Sequence, residues 1–136
     1  MTDRPEVDYL AIEDLLEIAA GILGEVQLRD AGLLASAAAR PAMSVLADDA
    51  YETFAEKAAA LMHSLVRNHP LVDGNKRLAW AATRVFLILN GRDLTYTVDE
   101  AEAFVIAAAT GDLDVPEIAA WITVHSLPPA AGRLHP

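Results

Sequence analysis

The feature that most constrains the fold is the recurrence of apolar residues at helical spacing along most of the 136-residue chain. From Leu10 to Gly24 the apolar residues follow the i, i+3, i+4, i+7 pattern, which indicates an amphipathic helix. Periodicity, composition and stop signals predict five further helices, over about 29–40, 51–67, 75–89, 97–110 and 114–125. The sequence therefore predicts an all-α fold, a compact six-helix bundle.

Several helix boundaries are predicted by local chemistry. Pro41 ends the second helix, and Asn90-Gly91 ends the fourth. The segments 97–100 and 114–117 each place an acid three residues after a Thr or Asp, the pattern of a capping box that opens a helix. Because the fourth helix is apolar on nearly all sides, we predict that it lies at the centre of the bundle.

The segments between the helices are short. Residues 25–28 suit only a strand-like flap, residues 43–49 a loop, and residues 92–96 a short extended piece. Three prolines and a glycine follow Leu127, so we expect residues 127–136 to be a poorly ordered tail. The predicted organisation is one domain over residues 1–126.

Composition limits the class of protein. A hydrophobic fraction of 54% is ample for one core, and the absence of cysteine excludes disulfides, thiolate metal sites and cysteine nucleophiles. The charged start of the chain lacks the apolar region of a secretion signal, and no stretch approaches the roughly 18 apolar residues of a membrane span. We therefore expect a cytoplasmic protein without a membrane partner.

The charge is strongly uneven along the chain. A formal net charge of -10 argues against direct binding to nucleic acid, which depends on neutralising phosphates with Lys and Arg. Between residues 67 and 92, however, five basic residues accompany one acid, so that this window is +4 and the remainder -14. The five are Arg67, Lys76, Arg77, Arg84 and Arg92. An acidic chain has thus gathered its cations around one segment.

That segment contains the run His69-Pro70-Leu71-Val72-Asp73-Gly74-Asn75-Lys76-Arg77, which joins two predicted helices. Gly74 permits close approach of backbone amides to a ligand, and the first amides of the next helix lack intrahelical acceptors. Lys76 and Arg77 lie at the positive end of that helix dipole, where cations are unfavourable. A bound phosphate would offset this repulsion.

Other residues of the run suit phosphate chemistry. The imidazole of His69 fits a general base near neutral pH, and Asp73 is a hard oxygen ligand of the kind that holds Mg²⁺ beside phosphates. Asn75 could bind a phosphate oxygen or cap the helix, and Arg77 could bind phosphate through a bidentate fork. The alternative is ordinary turn chemistry with a solvated Lys-Arg pair. The combination with the charge asymmetry favours phosphoryl or nucleotidyl transfer.

The run resembles the signature of the Fic/Doc superfamily, which reads His, any residue, Phe, any residue, Asp or Glu, a small residue, Asn, Gly or Lys, and Arg. The matching residues are His69, Leu71, Asp73, Gly74, Asn75, Lys76 and Arg77. Similarity to the Doc branch extends to 28–34, 39–41 and 55–59, so the resemblance covers about residues 9–125. One departure is Leu71, which stands where the family has a Phe that anchors the loop from inside.

The resemblance implies a function. Fic adenylyltransferases have glycine at the position of Lys76 and a second arginine at that of Trp80, whereas the Doc branch has the lysine. Doc proteins are toxins of toxin–antitoxin pairs that bind ATP in the reversed orientation and phosphorylate a hydroxyl. Their substrate is a translation elongation factor of the Tu type, so translation is arrested. Two alternatives remain: a Fic-type adenylyltransferase, and a catalytically degraded module that binds nucleotide or antitoxin.

The resemblance also implies roles for residues. His69 would deprotonate the target hydroxyl, Asp73 would bind Mg²⁺, and Lys76 would be essential for transfer. The triphosphate of ATP would be held by Gly74, Asn75, Lys76 and Arg77. The target would dock on the flap formed by Glu25, Val26, Gln27 and Leu28. Because the sequence lacks the Ser/Thr-x-x-x-Glu-Gly/Asn motif of self-inhibited Fic proteins, a separate antitoxin is expected as inhibitor, a disordered segment that folds on an exposed apolar groove.

Other polar and aromatic residues have structural interpretations. His63 is predicted to be a satisfied, partly buried histidine rather than a second ligand. Arg84 suits either a salt bridge or phosphate binding. Trp121 and His125 share a core-facing stripe, and Trp80 is a core residue that could also shape the nucleotide pocket.

Overall fold

The structure is a computed structural model, and it describes residues 6–126. The chain forms six α-helices within that range: α1 Ile12–Leu23, α2 Ala31–Ala39, α3 Phe54–Asn68, α4 Asn75–Leu89, α5 Val98–Thr110 and α6 Val115–His125. The predicted all-α, six-helix fold is confirmed. None of these helices is long and apolar enough to cross a bilayer. The predicted tail, residues 127–136, lies outside the described residues.

Capping side chains fix where several helices begin. At α5, Glu100 N donates to Thr97 Oγ1 (3.1 Å) and Thr97 N donates to Glu100 Oε1 (2.8 Å), as the capping box predicts. Thr53 and Glu56 make the same reciprocal pair at α3, so this helix begins at Phe54 and not near residue 51. The second helix begins at Ala31 and ends before a 3₁₀ turn over Arg40–Ala42 that contains Pro41.

The central helix is α3, and the prediction that the fourth helix would be central is wrong. Helix α3 packs against α2, α4, α5 and α6, and the consecutive residues 58–66 are buried except for His63. Its three consecutive alanines, Ala58, Ala59 and Ala60, are buried and let neighbouring helices approach closely. Helix α4 instead leaves the apolar side chains of Val85, Ile88 and Leu89 exposed. Apolar composition alone does not decide which helix is enclosed.

The segment predicted as a loop contains a small antiparallel hairpin of β1 (Ser44–Val45) and β2 (Asp48–Asp49). Its turn places Leu46 (φ 52°) and Ala47 (φ 72°) in the left-handed region, which costs non-glycine residues about 1–2 kcal/mol each. The buried Lys57 of α3 donates to the Asp49 carboxylate (3.1 Å) and to the Tyr51 carbonyl. These contacts hold the hairpin base on the central helix.

His63 lies in a polar network between α3, the 3₁₀ turn and α6. Its Nδ1 is 2.9 Å from Arg40 Nη1, and its Nε2 is 3.5 Å from Asp114 Oδ1. Since a guanidinium can only donate, Nδ1 accepts and the ring is neutral in this arrangement. Burial, with help from the cations Arg40 and Arg67, lowers the pKa of His63, although Asp114 opposes the shift. The prediction of a satisfied histidine is confirmed.

This lowered pKa predicts a pH dependence of stability. The unfolded chain binds a proton at His63 at a higher pH than the folded protein does, so stability is lost as pH falls through the ordinary histidine pKa of about 6.5. We expect the free energy of unfolding, measured by urea titration, to decrease between about pH 7.5 and 5.5. His63→Asn keeps an acceptor for Arg40 but does not titrate, so its stability should change less over this interval. An equal decrease in wild type and variant would contradict the assignment.

Candidate active site

The loop that carries the sequence motif begins where α3 ends. His69 adopts a left-handed conformation (φ 52°, ψ 62°), which stops the helix and turns the chain towards α4. Its side chain is exposed, while Pro70 and Leu71 are buried beneath it. The loop is therefore anchored by its buried residues and leaves the imidazole exposed.

The predicted flap pairs directly with this loop. Val72 N donates to Gln27 O (2.9 Å), and Leu28 forms a β-bridge with Leu71. Beyond the bridge, Arg29 N and Asp30 N both donate to Pro70 O, at 2.8 and 3.0 Å. The strand-like character predicted for residues 25–28 is thus confined to its last residues, which continue into a short two-stranded ribbon with the motif loop. Flap and loop form one hydrogen-bonded unit.

Asn75 fastens the loop from inside. Its Oδ1 accepts from Leu71 N (2.9 Å) and its Nδ2 donates to Leu71 O (3.0 Å), while Nδ2 is 3.5 Å from His69 Nδ1. The side chain is buried, and Gly74 rather than Asn75 occupies the N-cap position. The sequence interpretation assigned this amide to a phosphate or a helix cap, but here the Leu71 peptide occupies it. Residue types alone do not reveal that the Asn75 side chain pairs with the backbone of a nearby residue in the same loop.

Leu71, the one departure from the signature, is only 1% exposed and belongs to the main core. Both of its backbone polar groups are satisfied by Asn75. The leucine therefore anchors the loop as an apolar side chain should. Leucine fills less volume than the phenylalanine of the family, so a looser placement of His69 remains a prediction.

Helix α4 begins without the features that stabilise the other helices. Gly74 has no capping side chain, and the first turn has no acid. The amides of Asn75, Lys76 and Arg77 make no hydrogen bond within residues 6–126, since the first intrahelical donor is Leu78 N, to Gly74 O (2.9 Å). Three unpaired amides and the positive end of the dipole together favour an anion at this terminus.

Gly74 is favoured by its backbone conformation and by its close approach to a neighbouring side chain. Its φ of 89° lies in the left-handed region, and a Cβ there would be 2.7 Å from Leu23 Cδ1. Leu23 is the last residue of α1. The glycine thus lets α1 pack against the start of α4, beside the three unpaired amides.

The two cations of the first turn have different surroundings. Arg77 Nη2 donates to Ile22 O (2.8 Å) and so caps a carbonyl at the end of α1. Lys76 is exposed and has no hydrogen bond or ion pair among the described residues. Lys76 could therefore bind a phosphate, as predicted, without breaking any contact that it makes within the described residues.

A polar cleft of about 310 Å³ lies on the flap side of α4. Its lining residues are Leu23, Glu25, Gln27, Asp73 and Arg77. The Asp73 carboxylate is exposed, and no group of three or more potential metal-binding side chains exists in the part of the chain that the structure describes. A lone carboxylate fits Mg²⁺ that is shared with phosphate oxygens and water, but not a metal held by protein alone.

A second, apolar cleft of about 490 Å³ lies between α4 and α5. Its lining residues are Lys76, Arg77, Trp80, Tyr96, Val98, Ala101, Glu102, Val105 and Ile106. Trp80 packs edge-on against Tyr96, with ring centroids 5.1 Å apart. Arg84 bonds Tyr96 Oη (2.6 Å) and Asp93 (2.9 Å), which decides its open role in favour of the salt bridge. Trp80 lines this cleft together with Lys76 and Arg77, which agrees with the prediction that it could shape a pocket beside the motif.

Comparison with known proteins agrees with this geometry. The profile of the Fic/DOC family matches residues 7–87, from before α1 to the last part of α4. A curated protein, "Toxin Doc" of Mycolicibacterium smegmatis, is 51% identical over 118 residues, which cover 83% of this chain and 89% of the relative. The family profile match includes the flap and the complete motif loop.

Proposed function

The chain belongs to the Fic/DOC family, and on this basis we propose that it is the toxin of a toxin–antitoxin pair, an enzyme that transfers the γ-phosphate of ATP to a protein hydroxyl. Identity of 51% to a protein named Toxin Doc supports the toxin. The proposed acceptor is a translation elongation factor of the Tu type, which would arrest translation. The proposed inhibitor is a cognate antitoxin, and both partners would meet the toxin in the cytoplasm.

The observation that carries the choice of phosphoryl transfer is the position of Arg77 between two unlike clefts. It lines the apolar cleft with Trp80 and also the polar cleft with Asp73. A nucleoside base favours aromatic and aliphatic walls, whereas a triphosphate favours cations and free amides. With the nucleoside in the apolar cleft, the triphosphate passes the start of α4 and its terminal phosphate points towards Asp73 and the flap.

This orientation brings the γ-phosphate, not the α-phosphate, to the side where the acceptor would dock. The reverse orientation would place the nucleoside between Glu25, Gln27 and Asp73, which are poor partners for an apolar ring. It would also place the outer phosphates beside Trp80. The arrangement therefore supports a kinase over an adenylyltransferase.

The proposed step uses His69 as base. The imidazole takes the proton of the acceptor hydroxyl as the new oxygen–phosphorus bond forms, and the bond from the γ-phosphorus to the β–γ bridging oxygen breaks, which releases ADP. Lys76, Arg77 and the amides after Gly74 stabilise the charge on the phosphates. Mg²⁺, when bound at Asp73 with phosphate oxygens and water, would neutralise further charge.

The test is an intact-mass measurement on purified elongation factor Tu after incubation with the protein, ATP and Mg²⁺. We expect the mass of one phosphate to be added by wild type and nothing to be added by His69→Ala. Addition of AMP would overturn the kinase proposal in favour of adenylylation. Neither adduct, together with equal nucleotide binding by wild type and His69→Ala, would indicate a degraded binding module.

A further inference from the structure

Arg29, which no part of the motif includes, contacts three consecutive carbonyls at the start of the motif loop. Its Nε donates to His69 O (2.5 Å), its Nη2 to Asn68 O (2.7 Å), and its own backbone N to Pro70 O (2.8 Å). The residue directly follows the bridge between Leu28 and Leu71. One residue directly after the flap thus holds the backbone on both sides of His69.

These contacts matter because the backbone at His69 is intrinsically unfavourable. The last carbonyls of α3 have no intrahelical donor, and a cation at this negative end of the helix dipole is favourable. His69 itself has a φ of 52°, which is uncommon in a residue with a Cβ and which the surrounding structure stabilises here. The planar guanidinium reaches two carbonyls at once, which the single ammonium of lysine cannot reproduce with the same geometry.

We propose that Arg29 is a positioning residue for His69: its fork fixes the left-handed peptide that aims the imidazole, and so couples the flap to the catalytic base. This inference rests on the proposed role of His69. The side chain is separable from the flap's own pairing, because the bonds from Val72 N to Gln27 O and from Asp30 N to Pro70 O do not involve it. Truncation at Cβ should therefore leave a folded protein with an intact ribbon.

The experiment compares Arg29→Ala and Arg29→Lys with Arg92→Ala, a matched loss of an arginine that lies over Phe54, outside both clefts. Transfer of phosphate from ATP to elongation factor Tu should fall at least tenfold in Arg29→Ala, through kcat and not through the KM for ATP. Arg29→Lys should recover part of the rate, and Arg92→Ala should match wild type. Thermal unfolding of each variant serves as the check that it is folded.

The second readout is the NMR coupling between the amide and α protons of His69, which reports φ without any substrate. We expect this coupling to depart from the wild-type value in Arg29→Ala and to be unchanged in Arg92→Ala. A wild-type rate in Arg29→Ala, or a lower rate with an unchanged coupling, would overturn the positioning role. If wild-type protein transfers no phosphate, the proposed function fails, and the coupling alone still decides whether Arg29 fixes His69.

Discussion

Replacing His69 with alanine is expected to lower the rate of phosphate transfer by about 10²–10⁴-fold, the usual contribution of a general base. The fold should be unaffected, because the side chain is exposed and its one polar contact within residues 6–126, to Asn75 Nδ2, is long at 3.5 Å. His69→Asn is a useful second variant. Asparagine tolerates the left-handed region better than alanine does, so a loss of activity there cannot be attributed to backbone strain.

The measurement is the initial rate of phosphate incorporation, with nucleotide affinity determined separately by calorimetry. We expect both variants to bind ATP as wild type does. In bacteria, induced expression of wild type should slow growth more than expression of either variant. Transfer at an undiminished rate by both variants would show that His69 is not the base, and equal growth with all three proteins would refute the toxin.

Local chemistry explains why most of the helices could be predicted. The start of α5 follows from two residues three apart, Thr97 and Glu100, whose mutual bonds depend on nothing distant. Likewise, Asp114 N donates to Glu117 Oε1 (3.0 Å) at the start of α6. Periodic apolar residues and caps act within a few turns of chain, so the sequence displays them directly.

Tertiary contacts explain what could not be predicted. The hairpin turn at Leu46 and Ala47 opposes local preference, and its base is held by Lys57, eight residues beyond Asp49 along the chain. Helix α3 is central because its small residues admit several neighbours, a property that hydrophobicity does not measure. In both cases packing overrides the local pattern.

The candidate site shows the same difference between local features, which the sequence reveals, and tertiary contacts, which it does not. The contiguous run from His69 to Arg77 was visible because its residue types are unusual together. Arg29, Tyr96 and Glu102 were missed as site residues, since only folding brings them to the loop and the apolar cleft. The sequence also could not show that Arg77 donates to Ile22 O, a carbonyl 55 residues earlier.

Lys76→Ala is expected to have opposite effects on activity and stability. Its ammonium lies in the first turn of α4 with no acid in that turn and no partner among residues 6–126. Without a bound phosphate, the cation is repelled by the helix dipole, so its removal should raise the free energy of unfolding by about 0.3–1 kcal/mol. Loss of one donor to the transferring phosphate should lower kcat by about 10²–10³-fold.

The other lysine of the sequence is the matched control. Lys57 is buried and paired with Asp49, so Lys57→Ala should lower stability, and at temperatures where it is folded it should transfer phosphate at the wild-type rate. Lys76→Arg keeps the charge and should keep much of the activity. Urea unfolding without nucleotide and initial rates with ATP give the two quantities for each variant.

The directions of the changes in stability and in activity together distinguish a ligand-binding residue from a structural one. If Lys76 is only a solvated surface residue, its removal changes neither the free energy of unfolding nor the transfer rate by much. If it supports the fold, stability and activity fall together. Only a cation held at an unfavourable position for an anionic ligand gives a more stable protein with less activity. Full activity in Lys76→Ala would therefore contradict both its catalytic role and the reason for concentrating positive charge at this helix.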